Sequence, residues 1–374
     1  MVEHELFVAC APGLEPMVSA ELATAGLPAG RPVAGGVELT GDLTTLYRAN
    51  LELGLALSVR VRLGQFRAAT FAALVDGATA LPWALWVDPA RGLRIKATAS
   101  KSRLHHTGAI AERVLAGAGA ALGTPVAVAA AGEGAATVLV RIVRDRVTIS
   151  IDTSGELLHR RGYRQATAKA PLREDLARAL IVASGWEPTT PLVDPMCGAG
   201  TLVIEAGLLA AGRPPGGARR FAFEDAPGFD AALWSRLRDA ALARAPAHPL
   251  PPLFGSDRDA GAIEASLANA ARAGVEADFA RAALSAAPGL AAPGPAGAVV
   301  CNPPFGGRIG RGRDLRPLYQ AFGNRVRALP PAWRVGLVTA DQGLARATGL
   351  SLSSALMTDH GGRKIFFFCG TAAE

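Results

Sequence analysis

Three short stretches bring together residue types that could share one chemistry. They are "PLVDPMCGAGT" (Pro191 to Thr201), "GSDRDAG" (Gly255 to Gly261) and "VVCNPPFGG" (Val299 to Gly307). In each, an apolar, strand-like run ends in a polar residue: Asp194, Asp257 or Asn302. The first stretch lacks the G-x-G-x-x-G of a dinucleotide site and the Gly-Lys-Ser/Thr ending of a phosphate loop. It offers a carboxylate at a strand end, then Pro195, Cys197, Gly198 and Gly200, and a helix expected from Thr201. Glycines there let a ligand approach the backbone, and the N–H groups of the helix point into the same crevice. A ligand carrying both an ammonium and a carboxylate suits that mixture. The alternative is a tight strand-to-helix connection with no ligand. Asp257, one βα unit later, stands where an acid can hold ribose hydroxyls, or where it simply N-caps the next helix.

The paired prolines of "CNPPF" end their strand and fix a rigid turn. That turn presents Asn302, the Pro303 carbonyl and the Phe305 ring together, an arrangement that fits methylation of an exocyclic amine on a nucleobase. Such an amine is a poor nucleophile because its lone pair is delocalised into the ring. Two fixed acceptors, the Asn302 amide oxygen and the Pro303 carbonyl, would take its hydrogens and stabilise charge developing on nitrogen. Phe305 would stack on an extruded base and align it with a methyl sulfonium. No strong base is required, since the product can lose its proton to water. The plainer alternatives are a turn-forming Asn302 and a core Phe305. Three such strand ends in one expected sheet favour a joint site.

The elements that must position these residues are legible as runs. "PLVDP", "PLFGSDRD", "GAVVCNPP", "WRVGLVTAD" and "RKIFFFCG" alternate with helices and predict a mostly parallel sheet covered on both faces. A helix is expected from Pro171, with Glu174 and Asp175 at its positive end. Upstream, "HELFVAC", "LEPMVSAELATAG", "GGVELTGD" and "LTTLYRANLELGLA" read as β-α-β-α. From Ser58 the alternation continues through "SVRVRLGQF" and "RGLRIKATA" to a hairpin closed at Arg144-Asp145. The main boundary is placed near Leu158–Gln165.

A chain of 374 residues predicts two or three domains. The formal net charge of +7 permits a polyanionic partner, although the Ala/Gly/Pro/Arg enrichment also looks like a coding bias. Cys10, Cys197, Cys301 and Cys369 are scattered, which argues against a zinc ribbon or a disulfide framework and for a reducing cytoplasm. The acidic start "MVEHELFVAC" does not read as a signal peptide. No window approaches ~18 uninterrupted apolar residues, so no membrane span is expected. The protein reads as soluble and cytoplasmic.

These motifs resemble the class I S-adenosylmethionine-dependent methyltransferases of the amino-methylating, Asn-Pro-Pro-aromatic group. "LHRRGYRQATAKAPLREDLARALIVASGW", "LVDPMCGAGTLVIEA" and "NPPFGGR" resemble, more closely, the bacterial 23S rRNA guanine-N2 methyltransferases with an N-terminal THUMP domain. "GLEPMVSAEL", "GGVELTGD" and "HHTGAIAERV" extend the likeness over nearly the whole chain. The resemblance implies an α/β protein with a C-terminal Rossmann-like methyltransferase sheet preceded by an α+β ferredoxin-like/THUMP region. Its divisions would be a ferredoxin-like segment at 1–57, a THUMP RNA-binding domain at 58–157 and the methyltransferase at 158–374. Some relatives carry a second methyltransferase unit, and this sequence ends before one.

By that resemblance Asp194, Pro195, Cys197, Gly198, Gly200 and Thr201 line the cofactor's methionine side, Asp257 holds its ribose, and Asn302, Pro303 and Phe305 hold the target guanine. The family often has Tyr where Phe305 stands, and stacking needs only the ring. It usually has an acid near Ala283 for the adenine amine; here Asp278 substitutes, or apolar contacts and backbone serve instead, or affinity is reduced. RNA contacts are expected from Lys101 and Arg103, ahead of a helix capped by Thr107, from Arg164 in "RRGYR", and from Arg308, Arg311 and Arg313 after the catalytic turn. Arg164 pairing with acids is the alternative for that residue, and His105 and His106 are expected at the surface or in packing. The activity implied is transfer of a methyl group to the N2 amine of a 23S rRNA guanosine. Its rivals are the same reaction on tRNA, adenine-N6 methylation of DNA, and a non-catalytic RNA-binding assembly factor.

Overall fold

The computed structural model describes residues 2–129, 135–165, 172–291, 293–305 and 314–373. The first part of the chain runs β1 (His4–Cys10), α1 (Glu15–Thr24), β2 (Arg31–Val33), β3 (Gly36–Gly41), α2 (Leu43–Glu52), β4 (Ala56–Arg67), α3 (Phe71–Thr79), β5 (Leu93–Ser100), α4 (Thr107–Leu122), β6 (Ala136–Val143) and β7 (Arg146–Asp152). Its strands form one seven-stranded sheet in the order β2-β3-β1-β4-β7-β6-β5. Alternation decides its faces: on β4, Val59 and Val61 are buried while Arg60 and Arg62 point to the other side. The residue 57/58 boundary expected from sequence falls inside β4, which pairs with β1 on one side and β7 on the other. The β6–β7 hairpin closes at Arg144 (φ 52°) and Asp145 (φ 61°), the left-handed pair a two-residue turn requires. Helix α3 approaches the sheet closely at Gly77, where a Cβ would lie 2.2 Å from the Phe66 ring.

One cap differs from the sequence reading. His106, not Thr107, caps α4: its Nδ1 accepts the Ala109 N–H at 3.1 Å, and Thr107 is the first helical residue. An imidazole nitrogen can do what a hydroxyl does there, and sequence preferences favour the hydroxyl.

The second part runs α5 (Glu174–Ala183), β8 (Leu192–Asp194), α6 (Thr201–Ala210), α7 (Ala231–Leu242), β9 (Leu253–Asp257), α8 (Ala260–Ala273), β10 (Asp278–Arg281), β11 (Ala298–Cys301), α9 (Arg316–Arg327), β12 (Arg334–Thr339), α10 (Gln342–Ala347), β13 (Ser353–His360) and β14 (Arg363–Thr371). The sheet order is β10-β9-β8-β11-β12-β14-β13, parallel from β10 to β12 and antiparallel at β14 and β13. β10 and β13 are additions to the expected strands. The order reverses beside β8, because β9 and β10 extend to one side and β11 and β12 to the other. In such a sheet the crevice lies at the carboxyl ends of the strands at that reversal. Buried Val299, Val335, Leu337, Phe322 and Trp333 pack the core beneath it.

The chain divides into two compact units. One contains Met1–Cys10, Ser19–Leu158 and Arg219–Asp239; the other contains Ala11–Val18, His159–Ala218 and Ala240–Glu374. Residues 219–239 thus fold with the first unit. Phe221, Phe223 and Trp234 gather around Tyr47 of α2, and the Arg219 guanidinium donates to the carbonyls of Ser154, Glu156 and Leu157. All four cysteines are buried, and none forms a disulfide. Among the described residues no helix is long and apolar enough to cross a membrane, and no cluster of His, Cys, Asp and Glu could hold a metal ion.

Candidate active site

β8 is only Leu192-Val193-Asp194, and all three residues are buried. Asp194, 1% exposed, accepts the Met196 N–H at 3.1 Å, which bends the chain directly into the glycine turn. Gly198 (φ 53°) and Gly200 (φ 80°) take left-handed conformations that side chains disfavour. Space is short as well: a Cβ on Gly200 would lie 3.1 Å from Ser266 and 3.2 Å from the Phe279 ring.

The turn is clamped from β9 and α8. The Cys197 N–H donates to the Ser256 carbonyl at 2.9 Å and the Gly198 N–H to Asp257 Oδ2 at 3.1 Å. Ser266 Oγ donates to the Gly198 carbonyl at 2.8 Å, and Asn269 Nδ2 to the Ala199 carbonyl at 3.1 Å. Asp257 Oδ1 accepts the Asp259 N–H at 3.0 Å. Asp259, not Asp257, caps α8, through the Gly261 N–H at 3.0 Å. Asp257 therefore ties two βα turns together and lines the crevice between them.

Burial pushes the Asp194 carboxyl up to about 8; the nearby Asp257 charge adds to this, while the Met196 N–H and the Cys301 thiol oppose it. The thiols of Cys197 and Cys301 are raised by burial and by the Asp194 charge, so they stay protonated and act as packing groups. A cationic ligand group beside Asp194 would reverse the carboxyl's shift.

Asn302 follows the fully buried β11, and its Oδ1 is buried with no hydrogen-bond partner among the described residues. Tyr319 on α9, itself buried, donates its hydroxyl to the Pro304 carbonyl at 3.2 Å and holds the proline turn from behind. Phe305 packs half-buried on the sheet core alongside Leu315 and Leu318. Asp194, Pro195, Cys197, Gly198, Thr201, Asp257, Asn302, Pro303 and Phe305 share one cleft of about 1020 Å³, closed on another side by α9. Gly200 lies under the turn against Ser266. The volume reaches the top of the ~300–1,000 Å³ range typical of ligand pockets, room for more than one small group.

Ala282, Ala283, Leu284 and Ser285 form the wall beyond Asp257. Asp278 does not reach it: Asp278 pairs with Phe254 at the amino end of β10, whereas Arg281 pairs with Asp257 at the cleft end. Of the alternatives for the missing acid at Ala283, substitution by Asp278 is thereby excluded. Small side chains, backbone and the Ser285 hydroxyl make that wall.

The expected RNA contacts separate. Lys101 and Arg103 are exposed in the first unit. Arg164, 14% exposed, is committed to Glu174 Oε2 at 2.9 Å and to the Leu172 carbonyl at 3.1 Å, so its guanidinium serves the fold. Arg308, Arg311 and Arg313 lie outside the described residues. Ser266, Asn269 and Tyr319 were not anticipated. Ser266 and Asn269, spaced i,i+3 on an otherwise Ala-rich helix, were the signal.

A buried polar cluster lies beside the clamp. Arg161 (2% exposed) faces Glu205 (0%) at 3.5 Å, and the Tyr163 hydroxyl donates to Glu205 Oε1 at 3.0 Å. The Arg272 guanidinium on α8 donates to the Tyr163 carbonyl at 2.8 Å. Burial pushes the Glu174 carboxyl up to about 7 against the pull of Arg164. The cluster fixes the chain entering α5, where Leu172 reaches the cleft.

Comparison with known proteins bears on this geometry. Residues 161–360 match the RMKL-like methyltransferase domain family, and residues 5–59 match the RlmL ferredoxin-like domain. The chain is 35% identical over 360 residues to a ribosomal RNA large subunit methyltransferase K/L of Methylococcus capsulatus, covering 92% of this chain and 48% of that protein. It thus spans about half the length of that relative. It is 31% identical to a provisionally named RNA methyltransferase of Synechocystis sp., covering 95% of this chain and 94% of that one. The crystal structure of SMU.472 in complex with SAH superposes with a TM-score of 0.88 at 28% identity, covering 99% of this chain and 98% of that one.

Proposed function

The chain belongs to the RMKL-like methyltransferase family, and on that footing we propose that it transfers a methyl group from S-adenosylmethionine to the N2 amine of a guanosine in 23S rRNA. One observation carries the reading: the buried Asn302 Oδ1, which has no hydrogen-bond partner among the described residues, lines the same cleft as the Asp194–Thr201 turn. A buried acceptor without a donor is costly, and the amine of an extruded base supplies one.

The cleft's residues fit the cofactor's chemistry. Asp194 and the N–H groups at the start of α6 match an ammonium and a carboxylate, Asp257 matches ribose hydroxyls, and the wall from Ala282 to Ser285 has room for a flat base. The SMU.472 structure, the same fold over nearly its whole length, holds SAH. When bound, S-adenosylmethionine supplies an electrophilic methyl on its sulfonium. Asn302 and the Pro303 carbonyl accept the amine's hydrogens, Phe305 stacks on the guanine, and water takes the released proton.

RNA capture is assigned to a THUMP domain that follows the ferredoxin-like segment, with Lys101 and Arg103 among its contacts, and to Arg308, Arg311 and Arg313, which follow the proline turn in sequence. The ribosomal substrate is supported by the name of the Methylococcus relative. The test incubates the protein with methyl-labelled S-adenosylmethionine and, separately, unmodified 23S rRNA, tRNA and DNA, followed by nucleoside analysis. Label in N2-methylguanosine from 23S rRNA is expected. Label only in tRNA, or in N6-methyladenine of DNA, refutes the proposal, and RNA binding without any label points to an assembly factor.

A further inference from the structure

The more polar face of the N-terminal sheet is polarised in charge, and the strand register shows how. Residues paired directly across a sheet share a face. One such row is Thr98, Arg141, Thr148 and Gln65 on β5, β6, β7 and β4; the next is Ser100, Val143, Arg146 and Arg67. The row between them, with Ile142 and Val147, and the row preceding the first, with Val140 and Ile149, are buried on the opposite face. Lys96 lies one row further along the polar face, and the hairpin turn adds Arg144 at its rim. Lys101 and Arg103 stand at the same end, the Arg103 N–H bonded to Asp145 of that turn at 2.8 Å.

On the β1–β3 side of the same face the cations are neutralised. Arg62 pairs with Glu38 and Glu5, and Arg31 pairs with Glu38. Toward the β6–β7 hairpin, away from Asp152, whose charge acts on Arg60 and Lys96, the reverse holds. Arg67, Lys96, Arg141, Arg144 and Arg146 are exposed, and none of them forms an ion pair among the described residues. Strands ~4.8 Å apart make this patch roughly 14 Å wide from β5 to β4. Such a concentration of like charge repels itself and gains most from a polyanion laid along it.

We propose that this half of the sheet face docks the phosphate backbone of a double-stranded segment of RNA. The inference rests on the RNA reading above and adds a surface to it. Its rows contain hydroxyls and an amide (Thr98, Ser100, Thr148, Gln65) suited to phosphate oxygens and 2′-hydroxyls, and no aromatic ring on which an unpaired base could stack. The chemistry therefore selects backbone over bases, and duplex over single strand.

The test measures binding by fluorescence anisotropy of the full-length protein across a potassium chloride series. The probes are a blunt RNA duplex and one of its strands alone. The variant Arg67→Gln/Arg141→Gln/Arg146→Gln changes only exposed side chains, and thermal melting checks its fold. Arg31→Gln is the control from the neutralised half. The triple variant is expected to weaken duplex binding roughly tenfold or more, and to reduce the log–log salt slope by about one per lost contact. The control is expected to leave both unchanged. Unchanged affinity and slope in the triple variant, equal weakening by Arg31→Gln, or tighter binding of the single strand would each overturn the proposal. Methyl transfer is assayed separately: duplex binding without labelled 23S rRNA removes the rRNA reading and leaves the surface standing.

Discussion

Replacing Asp257 by Ala tests whether the glycine turn is held as described. The wild-type carboxylate accepts two backbone N–H groups, from Gly198 at 3.1 Å and Asp259 at 3.0 Å, so the variant strands both. Each bond is worth about 0.5–1.5 kcal/mol net, and because Asp257 is half-exposed, water recovers part of the loss, leaving ~1–2 kcal/mol. For a unit of this size that is roughly 2–8 °C in the melting transition. Cofactor binding suffers more, because the ribose loses a charged acceptor as the turn loosens. About 1.5–3 kcal/mol corresponds to roughly 10- to 100-fold in Kd. Asp257→Asn keeps one acceptor oxygen and should fall between. Thermal unfolding and calorimetric titration with S-adenosylhomocysteine read both effects. Wild-type melting and wild-type affinity in Asp257→Ala would refute the clamp.

Other perturbations give distinct signatures. Gly200→Ala forces a left-handed alanine against Ser266 and Phe279 and should cost about 1–3 kcal/mol, seen as an earlier urea midpoint; an unchanged midpoint counts against the close packing. Asp194 is protonated more readily in the folded, cofactor-free protein than in the unfolded chain, so its contribution is complete at low pH and is lost as pH rises through about 8. Wild-type stability should therefore decline between about pH 4 and 8 more steeply than that of Asp194→Asn, and parallel pH profiles would contradict this. Tyr163→Phe removes the hydroxyl that donates to buried Glu205, and should lower stability by about 1–3 kcal/mol in chemical denaturation. No change there would mean the cluster is already satisfied by its arginines.

The site was largely legible because its chemistry stands at the ends of short buried strands. An apolar run halted by Asp194, Asp257 or Asn302 marks a strand end whether or not its neighbours are known. What could not be read was long-range pairing. β10 is four residues of mixed character, and β13 is an edge strand that exposes most of its residues, so neither shows a clear period. Glu205 is the one acid of an apolar helix, and its partners Arg161 and Tyr163 lie some forty residues upstream, beyond the reach of local pattern. The placement of residues 219–239 with the first unit follows from aromatic packing on Tyr47, to which local pattern gives no access. The sequence leaves Asp257 open between cap and ligand roles, and the structure gives the cap to Asp259.

The central claim is that Asn302 holds the reacting amine, and single-turnover methyl transfer by Asn302→Ala tests it most directly. With 23S rRNA and labelled S-adenosylmethionine, the variant should keep wild-type cofactor affinity while its rate falls roughly 10²–10³-fold, the usual cost of losing one fixed polar group at the reacting centre. Wild-type turnover by Asn302→Ala would contradict the account.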